Sequence, residues 1–169
     1  GRQVNFVTAS FGQGIAVTPI QLITAYSVLA NGGKLMKPYV VDRVIHEGGT
    51  EDVTKPEVAS IPISEATSQK IRSMLVSVVD IGFDKARIKG YDVAGKTGTA
   101  QIADGHGGYQ EGVFIHDFVG FAPASNPKFV ILIKMDKPQG ITFAADSLSP
   151  TFRAVAAYLL NYYNIPPTR

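Results

Sequence analysis

The sequence predicts an α+β fold in which an antiparallel sheet is covered by helices. Three apolar or alternating segments, near residues 91–101, 114–121 and 129–135, have the composition of strands and are joined by loops rich in Gly, Pro and Asn. Segments with helical periodicity stand before and after this strand region rather than between its strands. Hairpin-type loops favour antiparallel neighbours, and helices grouped outside a run of strands are typical of α+β proteins.

Three helices are indicated by their ends and by their apolar stripes. The first begins with the capping box Thr18-Pro19-Ile20-Gln21 and ends at Asn31-Gly32-Gly33. The second begins at Ser64 and ends at Gly82. Its predicted buried stripe is Ile71, Met74, Leu75, Val78 and Val79. We expect Ser149-Pro150 to cap the third helix. The predicted core face of that helix is Phe152, Val155, Ala156, Leu159, Leu160 and Tyr163.

Strands, turns and loops are predicted between these helices. Residues 39–45 indicate a strand, 47–50 a turn and 54–63 a surface crossing with two prolines. Small residues alternate with larger ones over 91–101, and we expect Lys96–Gln101 to pair antiparallel with Phe114–Phe121. The glycine-rich segment 104–112 predicts a loop over a cleft. The segment 129–135 is apolar on both faces and predicts a central strand.

Composition indicates an ordinary globular protein and excludes several functions. The 169 residues are enough for one domain, with 45% hydrophobic and 18% charged residues. A net charge of +2 gives no electrostatic argument for binding nucleic acid or an acidic membrane surface. There is no cysteine, so neither a disulfide nor a thiolate metal site is available. No apolar run approaches the roughly 20 residues that span a bilayer.

Residues 90–97 fit two unrelated catalytic signatures. Gly90-Tyr91-Asp92-Val93-Ala94-Gly95-Lys96-Thr97 matches the phosphate-binding P-loop, whereas Lys96-Thr97-Gly98 is the Lys-Thr-Gly element of acyl-transfer enzymes. A P-loop requires a buried strand before the glycines and a helix that starts at the lysine. The charged segment 84–89 and the glycines after Lys96 oppose both requirements, so the flanks favour an exposed strand.

The histidines do not indicate a metal site or any other cofactor. His106 and His116 have aspartates nearby, but their spacing fits no zinc pattern and a third strong ligand is lacking. We therefore expect no metal and no cofactor.

Four segments together resemble the C-terminal half of a class B penicillin-binding protein transpeptidase domain. They are Phe11–Pro19, Leu29–Gly33, Val93–Gln101 and Phe118–Pro123, in the family's order. The resemblance implies a fold like those of penicillin-binding proteins and serine β-lactamases. It also implies that residues 1–169 are the C-terminal portion of a single transpeptidase domain. The parent would be a serine-type D,D-transpeptidase that cross-links peptidoglycan stem peptides.

The resemblance implies roles for four consecutive residues of the Lys-Thr-Gly strand. The backbone N–H of Thr99 would form half of an oxyanion hole, and the hydroxyls of Thr97 and Thr99 would hold the substrate's terminal carboxylate. Lys96 would supply positive potential to that carboxylate. Gly98 would leave the space between strand and substrate free.

The family's other two motifs are expected to lie before Gly1. The chain has no Ser-x-Asn, and its one Ser-x-x-Lys, Ser125-Asn126-Pro127-Lys128, lies in a turn where no helix can follow. Because Gly1 is not an initiator methionine, we expect the chain to be a fragment that lacks the nucleophilic serine and its lysine base.

The resemblance implies partners and a location as well. The partners would be a stem peptide ending in D-Ala-D-Ala, β-lactams, the missing N-terminal part of the protein and a glycosyltransferase partner of the parent. The location would be the outer face of the cytoplasmic membrane, with the anchor outside this chain. Two alternatives stay open: a non-catalytic β-lactam-sensing module of the same fold, and a P-loop nucleotide hydrolase.

Overall fold

A computed structural model describes residues 2–169 as helices, one three-stranded sheet and two small ribbons. The helices are α1 (Arg2–Ser10), α2 (Pro19–Ala30), α3 (Glu65–Gly82), α4 (Ala144–Ser147) and α5 (Ser149–Tyr162). The short strands are β1 (Leu35–Met36), β2 (Arg43–Ile45), β3 (Glu51–Val53) and β4 (Val58–Ser60). The long strands are β5 (Ala94–Ala103), β6 (Tyr109–Ala122) and β7 (Phe129–Asp136).

The main sheet has the strand order β5-β6-β7, and both pairings are antiparallel. Lys96 lies opposite Val119 and Gln101 opposite Phe114, so the predicted pairing of the two segments is confirmed. The loop between them is shorter than predicted, because β6 begins at Tyr109. The small strands form separate ribbons, β1 with β4 and β2 with β3.

The prediction that residues 129–135 form the central strand is wrong. Among the described residues β6 is central and β7 lies at an edge of the sheet. Helices α2 and α5 both contact β7, so its side chains are covered on two faces. An apolar run indicates that both faces of a strand are buried, but it does not indicate whether the strand has a hydrogen-bonded neighbour at each edge.

The predicted ends of α2 and α3 are confirmed. The Thr18 hydroxyl accepts a hydrogen bond from the N–H of Gln21, whose side chain accepts one from the N–H of Thr18. The Ser64 hydroxyl caps α3 by accepting from the N–H of Thr67, and the helix ends at Gly82. The α3 stripe is shifted from the prediction, because Met74 is 54% exposed while Ser68 is fully buried. The Ser68 hydroxyl donates to the carbonyl of Leu29 at 2.8 Å, which makes its burial tolerable.

Helix α5 also differs from its prediction in detail. Leu148 occupies the cap position without a side-chain hydrogen bond, and Ser149 is the first helical residue. The face that the helix buries consists of Ser149, Phe152, Ala156 and Leu160. Val155 and Tyr163, which were predicted to face the core, are 39% and 56% exposed.

Other differences concern the N-terminal region and the small ribbons. Helix α1 was not predicted. The strand expected over 39–45 is confined to Arg43–Ile45, although the turn at 47–50 is present. The surface crossing over 54–63 contains strand β4. These ribbons are short and largely exposed, so they leave little periodic burial in the sequence.

Two apolar clusters cover the two faces of the main sheet. One contains Phe118, Phe152, Leu148 and Leu160, and it packs α5 against one face. The other contains Ala30, Ala94, Phe121 and Ala124, with Leu29 of α2 and Leu75 of α3 against it. The sheet is thus fixed between helices on both sides, while the outer edge of β5 has no strand partner among residues 2–169. None of the described helices is long and apolar enough to cross a lipid bilayer.

Candidate active-site strand

The free edge of β5 carries the backbone groups of Thr97 and Thr99. The carbonyl oxygen of Ala94 lies 2.8 Å from where a Cβ atom on Gly120 would stand, and that of Val119 lies 3.3 Å from the same position on Gly95. Both carbonyls therefore point into the gap between β5 and β6. Backbone direction alternates along a strand, so residues 94, 96, 98 and 100 bond to β6. The N–H and C=O groups of residues 97 and 99 consequently point to the free edge.

The Lys96 ammonium group is held beside that edge. Its Nζ donates to the carbonyl oxygen of Thr97 at 2.9 Å and lies 5.6 Å from the ring centre of Phe83, at the end of α3. The side chain is exposed. A cation over an aromatic face is weakly attracted to it, which adds to the hydrogen bond in orienting the lysine. The result is a positive charge next to outward-pointing backbone N–H groups.

The structure explains the glycine at position 98 by a contact within the sheet rather than by the expected space for a substrate. Gly98 lies opposite Asp117 on β6, and a Cβ atom on Gly98 would stand 2.8 Å from the carboxyl carbon of Asp117. The glycine thus accommodates the Asp117 side chain on the sheet face. Whether it also leaves space for a substrate is a separate matter that stays a prediction.

Asp117 is a half-buried carboxylate beside the Lys-Thr-Gly strand. Burial raises the pKa of its carboxyl group above the usual range, while the positive charges of Lys96 and Lys134 act in the opposite direction. Burial and the Asp117 charge also raise the pKa of Tyr26 on α2. Sequence reasoning did not single out Asp117 in this position, because only the hairpin register places it over Gly98.

Thr99 is tied to the segment that precedes α5. Its Oγ1 accepts a hydrogen bond from the backbone N–H of Ala144, the first residue of α4, at 3.1 Å. The hydroxyl hydrogen of Thr99 is therefore left for another acceptor. Thr97 and Thr99 share one face of the sheet, whereas Lys96 and Gly98 are on the other. The side chains of residues 96–99 therefore lie on two faces of the sheet, and a substrate could contact groups from both faces only at the free edge of β5.

His116 is fully buried on β6, directly opposite Thr99. Its Nδ1 lies 2.9 Å from the Ser147 hydroxyl, and its Nε2 lies 3.0 Å from the carbonyl oxygen of Thr142. Because that carbonyl can only accept, Nε2 carries the hydrogen. The residues described by the structure contain no group of three His, Asp or Glu side chains arranged to hold a metal ion.

The structure also bears on the two competing motifs. Lys96 lies inside a strand and no helix begins there, so the P-loop interpretation is wrong. Ser125 lies in the turn between β6 and β7, where its N–H donates to Asp92 at 2.6 Å and no helix follows. A serine in such a turn lacks the helical lysine that an acylated Ser-x-x-Lys serine requires.

A cavity lies away from the β5 edge. It has a volume of about 740 Å³ and is lined by residues of 84–90, by α5 and by Arg169. An extended chain adds to a free strand edge by backbone hydrogen bonds and needs no enclosed cavity.

Comparison with known proteins shows the family of the chain. Residues 2–157 match the family model described as the penicillin binding protein transpeptidase domain. Stage V sporulation protein D of Bacillus subtilis is 43% identical over 152 residues, which are 87% of this chain and 23% of that protein. The probable peptidoglycan D,D-transpeptidase PbpC of Pseudomonas aeruginosa is 39% identical over 168 residues, covering 96% of this chain and 28% of the relative.

Solved structures show the same fold. Penicillin-binding protein 3 of Mycobacterium tuberculosis in complex with aztreonam matches with a TM-score of 0.85 and 33% identity. The match covers 97% of this chain and 39% of that one. The chain spans about a quarter of the length of the curated relatives that it matches. Since the family model covers residues 2–157 and the fold agrees, the chain belongs to the penicillin-binding protein transpeptidase family.

Proposed function

We propose that this chain supplies the substrate-aligning strand of a serine-type peptidoglycan D,D-transpeptidase. The observation that carries the proposal is the free edge of β5, where the N–H of Thr99 points outward beside the Lys96 ammonium group. An extended peptide can add to such an edge by backbone hydrogen bonds. A fixed cation beside the strand suits a peptide that ends in a carboxylate.

The substrate is a stem peptide ending in D-Ala-D-Ala. A serine outside residues 1–169 attacks the carbonyl carbon between the two alanines, and the carbonyl oxygen becomes an oxyanion. The Thr99 N–H donates to that oxyanion, with a second N–H supplied by the nucleophile's own backbone. The terminal D-Ala leaves with a proton, and the amine of a neighbouring stem peptide then attacks the acyl-enzyme.

Lys96, Thr97 and Thr99 hold the terminal carboxylate in this scheme. The Thr99 hydroxyl already accepts from Ala144, so its hydrogen is available to the carboxylate. Lys96 adds a charge-assisted interaction. Relatives that have been solved with ampicillin or aztreonam support the further proposal that β-lactams acylate the same serine.

The location and partners follow from the substrate. Peptidoglycan lies outside the cytoplasmic membrane, so the parent protein acts at the outer face of that membrane and is anchored by a segment outside this chain. A glycosyltransferase that supplies glycan strands is the proposed partner of the parent protein. The alternative of a non-catalytic β-lactam sensor predicts acylation by penicillin without transfer to an amine acceptor.

The test uses the full-length protein that carries this chain. Lys96→Ala removes a charge-assisted hydrogen bond worth roughly 1.5–3 kcal/mol, so acylation by a fluorescent penicillin should slow by about ten- to a hundredfold. Lys89→Ala, an exposed lysine that precedes the strand, is the matched control and should acylate at the normal rate.

Two results would contradict the proposal. One is a Lys96→Ala variant that acylates at the normal rate. The other is an acylated serine that peptide mapping places within residues 1–169, for example at Ser125. Cross-linking of a D-Ala-D-Ala peptide to an amine acceptor separates the transpeptidase from the sensor.

A further inference from the structure

His116 is a fully buried polar residue that the proposed chemistry does not use. It lies next to Thr99 across the β5–β6 pair, and the two side chains share a face of the sheet. Burying an imidazole ring is costly unless its nitrogens are hydrogen-bonded. Both nitrogens have partners here, and both partners, Thr142 and Ser147, belong to the segment that contains α4.

The hydrogen bonds of His116 add to two other contacts that hold this segment, the full burial of Ala144 and the partly exposed ion pair between Asp146 and Lys85. Helix α4 has only four residues, and its cap position, Phe143, makes no side-chain hydrogen bond to the helix. One of its free N–H groups, that of Ala144, donates to the Thr99 hydroxyl. His116 therefore forms hydrogen bonds to the segment at Thr142, which precedes α4, and at Ser147, the last residue of α4. Thr99 bonds to the segment between these two points.

His116 is thus connected to Thr99 by hydrogen bonds at Thr142 and Ser147, by the backbone between them, and by the bond from Ala144 to Thr99. Fixing Ala144 fixes the acceptor direction of the Thr99 hydroxyl, and with it the direction in which the hydroxyl hydrogen can be donated. In the neutral ring Nε2 is the donor to Thr142, so Nδ1 accepts from Ser147. The Ser147 hydroxyl also lies 3.5 Å from the Ala144 carbonyl oxygen, but its contact with Nδ1 is shorter, at 2.9 Å.

We propose that His116 is a positioning residue for the transpeptidase, acting through residues 142–147 to orient the Thr99 hydroxyl toward the substrate carboxylate. The inference rests on the proposed function, since it assigns His116 a role only if Thr99 binds substrate. His116 itself touches no reacting atom. Because His116 acts only through Thr99, its replacement cannot slow acylation further once the Thr99 hydroxyl has been removed. This expectation can be tested.

A double-mutant cycle in the full-length protein tests it. His116→Leu keeps the residue's approximate size and removes both hydrogen bonds, while Thr99→Val removes only the hydroxyl. Each should slow acylation by fluorescent penicillin by about three- to tenfold, because one hydrogen bond to the carboxylate is lost while Lys96 still holds its charge. The double variant should be no slower than the slower single one, because both changes remove the same interaction. His116→Gln, with an amide N–H to reach Thr142, should recover part of the rate.

Controls distinguish positioning from general destabilisation. Val79→Ala opens the apolar cluster that contains Phe118 and Phe152, and the Val79 side chain makes no hydrogen bond to residues 142–147, so the variant should acylate within about twofold of the normal rate. Ser147→Ala removes one His116 contact with little change of volume and serves as the partner of Thr99→Val if the Leu variant fails to fold.

Several outcomes overturn the inference. Additive effects of His116→Leu and Thr99→Val would show independent roles, and a normal rate for His116→Leu would show none. Equal slowing by Val79→Ala would show that stability alone is responsible. If Lys96→Ala and Thr99→Val both acylate at the normal rate, the proposed function itself has failed, whereas a normal rate for His116→Leu alone overturns only the positioning role.

Discussion

Neighbouring residues of β5 direct their backbone groups to opposite edges of the strand. Lys96 and Gly98 bond to β6 through their backbones, and Gly98 faces Asp117. Thr97 and Thr99 turn their backbone groups to the free edge. One strand can therefore be fixed to the sheet by alternate residues and present the others to a substrate.

The backbone and the side chain of Thr99 have separable roles. If the N–H stabilises an oxyanion, Thr99→Ala should slow acylation of the full-length protein by less than about tenfold, because that N–H survives. Thr99→Pro should slow it far more, because proline lacks the N–H. Circular dichroism must first show that the Pro variant is folded. An Ala variant as impaired as a folded Pro variant would assign the function to the hydroxyl.

Substitutions at Gly98 and Asp117 can show whether the glycine is needed to make room for the Asp117 side chain or for the substrate. Gly98→Ala should slow acylation, because the new methyl group meets the Asp117 carboxyl group and displaces either that side chain or the strand. Asp117→Ala removes the obstacle, so the double variant should acylate faster than Gly98→Ala alone. Measured acylation rates of the three variants decide the matter. Without rescue, the glycine is needed for the substrate and the original expectation is right.

The strand with the candidate site was predictable from sequence, but its surroundings were not. Alternation over 91–101 and the Lys-Thr-Gly element placed Lys96 and Thr99 correctly on an exposed strand. Asp117 and His116 gain their meaning from the register with which β6 lies against β5. A register across a loop of uncertain length cannot be read from either strand alone.

At the scale of elements, local chemistry predicted ends better than faces. The capping box fixed the start of α2, because its hydrogen bonds involve residues three positions apart. The inward face of α3 depends on a distant partner, the Leu29 carbonyl that satisfies Ser68. The edge position of β7 likewise depends on its neighbours and leaves no pattern in residues 129–135.

Helix α5 begins with a polar group that has no partner. The Ser149 hydroxyl is fully buried and makes no hydrogen bond within the described residues. A buried unsatisfied hydroxyl costs roughly 1–3 kcal/mol. Ser149→Ala should therefore raise the free energy of unfolding by up to about 1 kcal/mol, allowing for the lost packing of the oxygen atom. Urea unfolding of the full-length protein measures the change.

Ser73→Ala provides the comparison for Ser149→Ala. Ser73 is an exposed helical serine whose hydroxyl bonds to the Gln69 carbonyl, so its replacement should change stability little. A clear loss of stability in Ser149→Ala would mean that the hydroxyl has a partner elsewhere in the full-length protein.

At the scale of the whole chain, the C-terminal tail joins elements that are distant in sequence. The N–H groups of Thr168 and Arg169 donate to the Gly90 carbonyl, and the Tyr91 hydroxyl donates to the Ile165 carbonyl at 2.7 Å. Arg169 makes two bonds of 2.7 Å to Asp80 on α3. These contacts tie α3 to the turn that leads into β5, so the tail supports the base of the candidate active-site strand.

The pH dependence of stability should reveal the Asp80–Arg169 pair. The hydrogen bond from Arg169 lowers the pKa of Asp80, and burial only partly opposes it. A lowered folded-state pKa means that the stabilisation is fully present above the unfolded value of about 3.9 and is lost as pH falls through the folded value. Because both side chains are partly exposed, at 31% and 43%, the pair contributes no more than about 1 kcal/mol.

Asp80→Asn should therefore lower the melting temperature of the full-length protein by about 1–3 °C near pH 7, and by less at about pH 3. Glu57→Gln is the matched control, because its pair with Lys37 is about two-thirds exposed and should contribute almost nothing. Calorimetry of both variants at the two pH values gives four changes in melting temperature relative to the unsubstituted protein. If Asp80→Asn has the same effect at both pH values, the ionised pair is not the source of the stabilisation. If Glu57→Gln matches it near pH 7, a fixed bidentate geometry offers no advantage over an ordinary surface pair.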